Sequence, residues 1–449
     1  MVHSLITPDS KKNFNLDLGD HLGRGATADV YKVKIDNKFY AVKIYKKPEE
    51  IDWLKLKAIT ELRYEDDYAF VKTHAWPIGI IQKNSKNIGF AMELFDLGLF
   101  RTIDHYYDNL LRSKIKDTHL LALPNLILIA KNLCIELEKL HKKNIFLVDV
   151  KPQNIAINTT TNEVVILDCD GFAFEKDGDR YPAGFVSADY IAPEVTINKL
   201  SPTTLGLGQD LYALSVIIFQ ILNRSLHPYS GISKKDVEAP TNDDKAALGQ
   251  YAYGAKANKN IKPHVSSLHE MWDDRILDAL ENCFTGGHRT SAAEWIAIFE
   301  NIERDKGYVR CDKLPEDALH IKFRDKGCMQ CKLDGLQTTH TPPPKPTPKP
   351  EPPKTQSYIP PQPTPAKKGP PWLLIIVAAI TGYIYLSQYG SEGTEKNKIC
   401  NVEAPQYCSS EKICMRGTTR LVSGKRAWVT SGRLLPYALE AKKRGLICD

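Results

Sequence analysis

The sequence predicts an α+β chain in which strands come first and helices follow, and three observations carry that expectation. Residues 39–45 (FYAVKIY) and 87–95 (NIGFAMELF) have the β-branched and aromatic enrichment of strands. From Leu123 the run LPNLILIAKNLCIELEKLHKKN places Leu126, Ile129, Leu133, Leu137 and Leu140 at spacings of three and four, one face of a helix. Residues 210–222 (DLYALSVIIFQIL) are apolar nearly all round, as a helix inside a domain is.

A chain of 449 residues is too long for one ordinary core and suggests two or three folding units. With 42% hydrophobic and 25% charged residues, most of it is expected to fold. The net charge of +6 is not spread evenly: residues 390–449 hold eleven Lys/Arg against six Asp/Glu, which leaves the first 389 residues near neutral. Nothing there argues for a nucleic-acid partner. The start, MVHSLITPDSKK, lacks the apolar core of a secretory signal, so the N-terminus is expected in the cytosol.

Residues 341–371 contain fourteen of the 28 prolines together with Lys345, Lys349, Lys354, Lys367 and Lys368. Such a stretch builds no core; as polyproline II at ~3.1 Å per residue it is a spacer reaching roughly 90 Å, or else a docking strip for proline-reading domains. Residues 372–389 (WLLIIVAAITGYIYLSQY) carry no formal charge and match a bilayer core of ~30 Å, with Trp372, Tyr383, Tyr385 and Tyr389 placed like interfacial anchors. One transmembrane helix is the expectation, and a buried globular helix the bland alternative.

Near the start, LGRGATADVY places Leu22, Gly23, Gly25 and Val30 where a backbone can approach a phosphate, and Ala41-Val42-Lys43 follows on a strand. The third glycine of G-x-G-x-x-G is Ala28, so the loop alone is weak. A lysine eighteen residues after Gly25 fits a kinase arrangement and not a dinucleotide fold. Together with FLVDVKPQNIAIN, VVILDCDGFAF, DYIAPEV and QDLYAL in that order, the chain resembles the eukaryotic-type (Hanks-type) Ser/Thr protein kinases, in the bacterial membrane-anchored form with a Cys/His cluster behind the kinase domain.

That resemblance covers residues 15–305 and implies the bilobal kinase fold, with a β-rich N-lobe and a helical C-lobe. It implies ATP and Mg²⁺, with Asp149 accepting the proton of the substrate hydroxyl, Lys151 neutralising the migrating phosphoryl group, and Asn154 and Asp168 holding the metal. Lys43 is expected on the α- and β-phosphates and paired with a helix glutamate, Glu61, although Glu49 and Glu50 lie nearby. The backbone of Glu93 and Leu94 is expected against adenine, beside Met92. Glu194 is expected to pair with Arg289, and Asp210 to cap the catalytic loop. Lys151 and the Ala192-Pro193-Glu194 element favour Ser/Thr protein kinases over tyrosine and small-molecule kinases. Two departures stand out. Leu147-Val148 replaces the His-Arg that grips a phosphorylated activation loop. Asp168-Cys169-Asp170 replaces Asp-Phe-Gly, leaving Asp170 either as a neighbour of the metal or as a solvated carboxylate.

Cysteines fall in three groups. Cys134, Cys169 and Cys283 are scattered. Cys311, His320, Cys328 and Cys331, within 306–335, fit a zinc knuckle ending in C-x-x-C, with free buried thiols as the alternative. Cys400, Cys408, Cys414 and Cys448 lie in the 390–449 tail, where two disulfides on the oxidising side would staple a small basic domain. The whole reads as a kinase on the inner face of the cell membrane, acting on a cytosolic protein, with an extracytoplasmic tail that could sense an anionic envelope ligand. Control through the tail or through a homodimer replaces the usual switch, and a catalytically silent membrane scaffold is the other functional class.

Overall fold

The computed structural model describes residues 2–7, 9–15, 21–25, 27–62, 73–96, 98–107, 118–233 and 241–339, together with 418–420, 426–428 and 443. It separates into two units, Met1–His340 and Thr341–Asp449. The proline-rich stretch, the expected span at 372–389 and the four tail cysteines fall outside the described residues. Among the described residues no helix is long and apolar enough to cross a membrane.

The first unit opens with seven antiparallel strands: β1 (Val2–Thr7), β2 (Ser10–Asn15), β3 (His21–Arg24), β4 (Ala28–Ile35), β5 (Lys38–Tyr45), β6 (Gly79–Lys83) and β7 (Lys86–Glu93). Their order is β2-β1-β6-β7-β5-β4-β3. Two-residue turns join β4 to β5 and β6 to β7. Asp36 and Asn37, and likewise Asn84 and Ser85, take positive φ there, the backbone that matches strand twist in tight hairpins. Lys43 lies mid-sheet, opposite Val30 on β4 and Phe90 on β7. Beside it Gly89 is obligatory, because a Cβ there would collide with the Lys43 carbonyl oxygen. The sheet begins at Val2, ahead of the boundary expected at residue 15: His3–Ile6 pair with Lys83–Ile80, and Leu5 and Phe14 are buried in the core.

Helix α1 (Trp53–Leu62) follows β5 and is capped by Asp52, whose Oδ1 accepts the N–H groups of Leu54 and Lys55. It buries Leu56, Ile59 and Leu62, and the Ile59 carbonyl takes the indole N–H of the fully buried Trp76.

The second half is helical, as the sequence predicts. After β8 (Phe100–Thr102) come α2 (Ile103–Tyr107) and α3 (Leu123–His141), then β9 (Ile155–Asn158) and β10 (Val164–Ile166), which form a small sheet with β8. A hairpin of β11 (Phe174–Lys176) and β12 (Asp179–Tyr181) leads to α4 (Pro193–Asn198), α5 (Leu207–Leu222), α6 (Asn242–Ala247), α7 (Asp274–Phe284) and α8 (Ala292–Arg304). Helix α5 is buried almost throughout, and α3 packs between it and α8. That central helix fixes the loop after α3: Asp210, fully buried, accepts the Val148 N–H on Oδ1 at 2.6 Å and the Leu147 N–H on Oδ2 at 2.8 Å. The unit ends with a hairpin, β13 (Tyr308–Arg310) and β14 (Ile321–Phe323), and helix α9 (Met329–Thr339).

Candidate active site

The loop between α3 and β9 carries Asp149, Lys151 and Asn154. Val148 sits at φ 63°, a left-handed conformation that a β-branched residue rarely adopts. The Asp149 carboxylate accepts the Lys151 ammonium at 2.5 Å on Oδ2 and the Ser187 N–H at 2.7 Å on Oδ1. Lys151 also donates to the Ser187 hydroxyl at 2.9 Å. Asn154 gives its side-chain N–H to the Asp149 carbonyl at 3.0 Å, and its own carbonyl takes the N–H of Leu167 at 2.8 Å. That last bond delivers the chain to Asp168, which turns left-handed at φ 60°.

Lys43 Nζ meets Asp168 at 2.6 Å and both oxygens of Asp170 at 2.8 and 2.9 Å. Burial alone would lower the pKa of Lys43, but Asp170 and then Asp168 outweigh it, and the ammonium is held charged. On Asp168 burial pushes upward and Lys43 pulls down harder, so its carboxyl stays below the usual range. Cys169 between them is fully buried, and burial raises its thiol pKa, which makes it a packing residue.

The expected pairing of Lys43 with Glu61 is not formed. Glu61 is turned toward Lys57 at 3.7 Å and Lys176 at 3.8 Å. The side of α1 that faces the site presents Lys55 instead, which donates to the carbonyls of Pro182 at 2.7 Å and Gly171 at 3.1 Å. Burial lowers the Lys55 pKa to about 8, opposed by Asp170 and Asp52.

On the sheet side, Gly23 lies opposite Val30, with a register shift that leaves Leu22 unpaired. The Gly25 N–H closes a turn on the Ala28 carbonyl at 2.8 Å, and Lys46 holds the Gly25 carbonyl at 2.6 Å. Ala41 lies opposite Met92, two residues from Lys43 on one strand face. Strand β7 ends at Glu93, whose carboxylate pairs with Lys38 at 2.8 Å, and Leu94 opens the connection that follows. The glycine loop, Lys43, the Glu93–Leu94 connection and the 149–154 loop therefore belong to one unit. Farther off, Arg289 clasps Glu194 with two bonds of 2.6 and 2.7 Å, the pair expected from sequence.

Four contributors were not expected. Ser187 bridges Asp149 and Lys151; its place seven residues before Glu194 was the available signal. Tyr45 donates its hydroxyl to Asp170 at 2.6 Å. Lys55 and Asp334 depend on tertiary proximity and leave no local trace.

A separate cluster joins Cys311, His320, Cys328 and Cys331, whose ligand atoms all lie within 4.8 Å of one another. The β13–β14 hairpin closes the sequence gap, with the Cys311 N–H on the His320 carbonyl at 2.8 Å. Cys311 and Cys331 sulfurs are 3.5 Å apart, and His320 Nδ1 is 3.4 Å from Cys331 and 3.7 Å from Cys328. These are unbonded thiols, since a disulfide needs ~2.05 Å. His320 Nε2 faces Asp334 at 3.1 Å, which fixes the ring.

Comparison with known proteins places this geometry. The family model described as the protein kinase domain matches residues 16–292. The protein kinase YegI of Escherichia coli K12 is 23% identical over 332 residues, 71% of this chain and 48% of its own length. A probable serine/threonine-protein kinase of Clostridium perfringens is 25% identical over 304 residues, 66% of this chain and 39% of its own. The cAMP-dependent protein kinase type 3 of Saccharomyces cerevisiae is 25% identical over 288 residues, 58% of this chain and 66% of its own. The chain thus spans less than half the length of the two bacterial relatives.

The segment bearing Ser187 is anchored beyond it by His227. This buried ring lies 2.7 Å from the Asp189 carbonyl through Nε2 and accepts the Tyr229 N–H on Nδ1, a neutral tautomer with both nitrogens used. Burial lowers its pKa to about 4. An unfolded histidine binds a proton more readily than this one between about pH 6.5 and 4, so stability present above pH 6.5 falls as pH drops through that window, by ~3 kcal/mol in all. Thermal melts across the window should show the fall, and His227→Gln should flatten it.

Proposed function

The chain belongs to the protein kinase family, and on that premise we propose that it transfers the γ-phosphate of ATP to Ser or Thr of a protein substrate. The observation that carries this reading is the bonded set of Asp149, Lys151 and Ser187, tied through Asn154 to the loop that holds Asp168. Asp149 would orient the acceptor hydroxyl and take its proton, and Lys151 would balance charge on the group in transit. Lys43 would meet the α- and β-phosphates from mid-sheet. Leu22, Gly23, Gly25, Val30 and Ala41 would cover the nucleotide, with the Glu93 and Leu94 backbone at its base.

Asp168 and Asn154 would hold magnesium, which would supply positive charge to neutralise the phosphates. The residues fit it. Asp168 is 52% exposed, and Asn154, whose side-chain nitrogen is committed to the Asp149 carbonyl, has its amide oxygen to offer. The Ser/Thr preference is supported by Lys151 and by the name of the Clostridium relative. Phosphate transfer from labelled ATP to a generic protein acceptor by the full-length protein should fall roughly a hundredfold or more in Asp149→Asn. Equal rates in the two proteins would overturn the reading.

The Cys/His cluster is proposed to hold structural zinc. Tetrahedral coordination with ~2.3 Å metal–sulfur bonds sets ligand separations near ~3.7 Å; Cys311–Cys331, Cys328–His320 and Cys331–His320 lie at 3.4 to 3.7 Å, and all four ligand atoms fall within 4.8 Å of one another. Elemental analysis of the purified protein should find one zinc per chain, lost in Cys328→Ser; a folded, zinc-free wild type refutes it.

Residues 372–389 are proposed to anchor the chain in the cell membrane, with the kinase domain cytoplasmic and the cysteine tail beyond. The uncharged run behind Lys367 and Lys368 supports this. Alkaline carbonate extraction should leave the protein in the membrane pellet, and release by carbonate counts against an integral anchor.

A further inference from the structure

Lys43 meets two carboxylates that differ in kind. Asp168 gives it one oxygen and is otherwise open to the cleft, with 52% of its side chain exposed. Asp170 gives both oxygens, takes a further bond from the Tyr45 hydroxyl and is 13% exposed. A carboxylate that already accepts three bonds from protein donors has little left for a cation, whereas the open one has a free side. Tyr45 stands two residues from Lys43 and so on the same strand face, its ring braced by Trp53 at 5.9 Å and Phe90 at 6.2 Å. Among the described residues no side chain of α1 bonds Lys43. That helix is fastened by Lys55, which grips the carbonyls of Gly171 and Pro182.

We propose that Asp170, braced by Tyr45, is the residue that positions Lys43 for the phosphates, in place of a glutamate on α1. The inference deepens the kinase reading and rests on it. Two exchanges go together. The anion that holds Lys43 has moved from the helix to the loop, two residues past Asp168, and a cation on the helix now binds the loop's backbone. The orientation of Lys43 therefore follows the metal-binding loop directly, and α1 bears on it only through the Lys55 bonds to the Gly171 and Pro182 carbonyls.

The test uses the full-length protein with Asp170→Asn, Tyr45→Phe, Glu61→Gln and Lys43→Met. Loss of one charge-assisted anchor should lower kcat/KM for ATP roughly tenfold or more in Asp170→Asn, mainly through KM, and less in Tyr45→Phe. Glu61→Gln should stay within about twofold, since Glu61 contacts only Lys57 and Lys176. The Mg²⁺ concentration for half-maximal rate should not move in Asp170→Asn. In binding of a fluorescent ATP analogue, Asp170→Asn should weaken affinity alone and add nothing to Lys43→Met. The proposal is overturned by a wild-type KM in Asp170→Asn, by a raised Mg²⁺ requirement, by additivity with Lys43→Met, or by an equal loss in Glu61→Gln. If the wild type transfers no phosphate, the kinase reading fails by itself and the binding series still decides the anchor. If Asp170→Asn does not fold, Tyr45→Phe carries the comparison, and unchanged nucleotide affinity there counts against the proposal.

Discussion

The carboxylate of Asp210 lies inside α5 with no exposure and gives its two oxygens to the N–H groups of Leu147 and Val148. Val148 in its left-handed backbone costs ~1–3 kcal/mol. Two bonds to a charged acceptor, at ~1.5–3 kcal/mol each, offset that. The His141 ring at 3.1 Å completes the surroundings of the same carboxylate. Every later contact inherits this direction: Asp149 reaches Ser187 and Lys151, and Asn154 reaches back to Asp149 and forward to Leu167. A geometry needed at the surface is thus set by a buried carboxylate in the first turn of a helix that is buried almost throughout.

This explains how the 149–154 loop keeps its shape without the His-Arg pair that Leu147-Val148 replaces. Both side chains are buried and serve the core, while their backbone does the positioning. The segment from Gly171 to Glu194 is likewise held by groups that are always present: Lys55 on two carbonyls, Phe174 stacked on Tyr181 at 4.9 Å, and Arg289 on Glu194. The absence of a phosphate-gripping arginine and the presence of these ties are two sides of one arrangement.

What was legible in the sequence is what local chemistry encodes. Strands β5 and β7 announce themselves by β-branched and aromatic residues, and α3 and α5 by spacing and by continuous apolarity. The order of Gly25, Lys43, Asp149, Asn154 and Asp168 gave the family before any coordinates. The partner of Lys43 was not legible, because Asp170 is adjacent to it only through the fold and Glu61 has the more familiar separation. The approach of Cys311 to His320 is likewise a product of the fold, because the β13–β14 hairpin draws the two together. The first hairpin is not legible because its buried apolar residues, Leu5 and Phe14, stand among serines, lysines and asparagines with no strict alternation.

That hairpin has a consequence for how the chain assembles. Strand β1 lies so close on Gly79 that a Cβ there would strike the Ile6 carbonyl, yet its partner residues, 80–83, are synthesised some seventy-five positions later. Until β6 exists, β1 and β2 have only each other, and a lone two-stranded ribbon is marginal in water. The outermost strand, β2, carries Lys11, a charge that discourages a stray strand from adding there during the wait, while Lys12 pairs with Asp36 at 2.9 Å. Residues 2–15 are in this way made ahead of the rest of the sheet and are among the last of it to find their place.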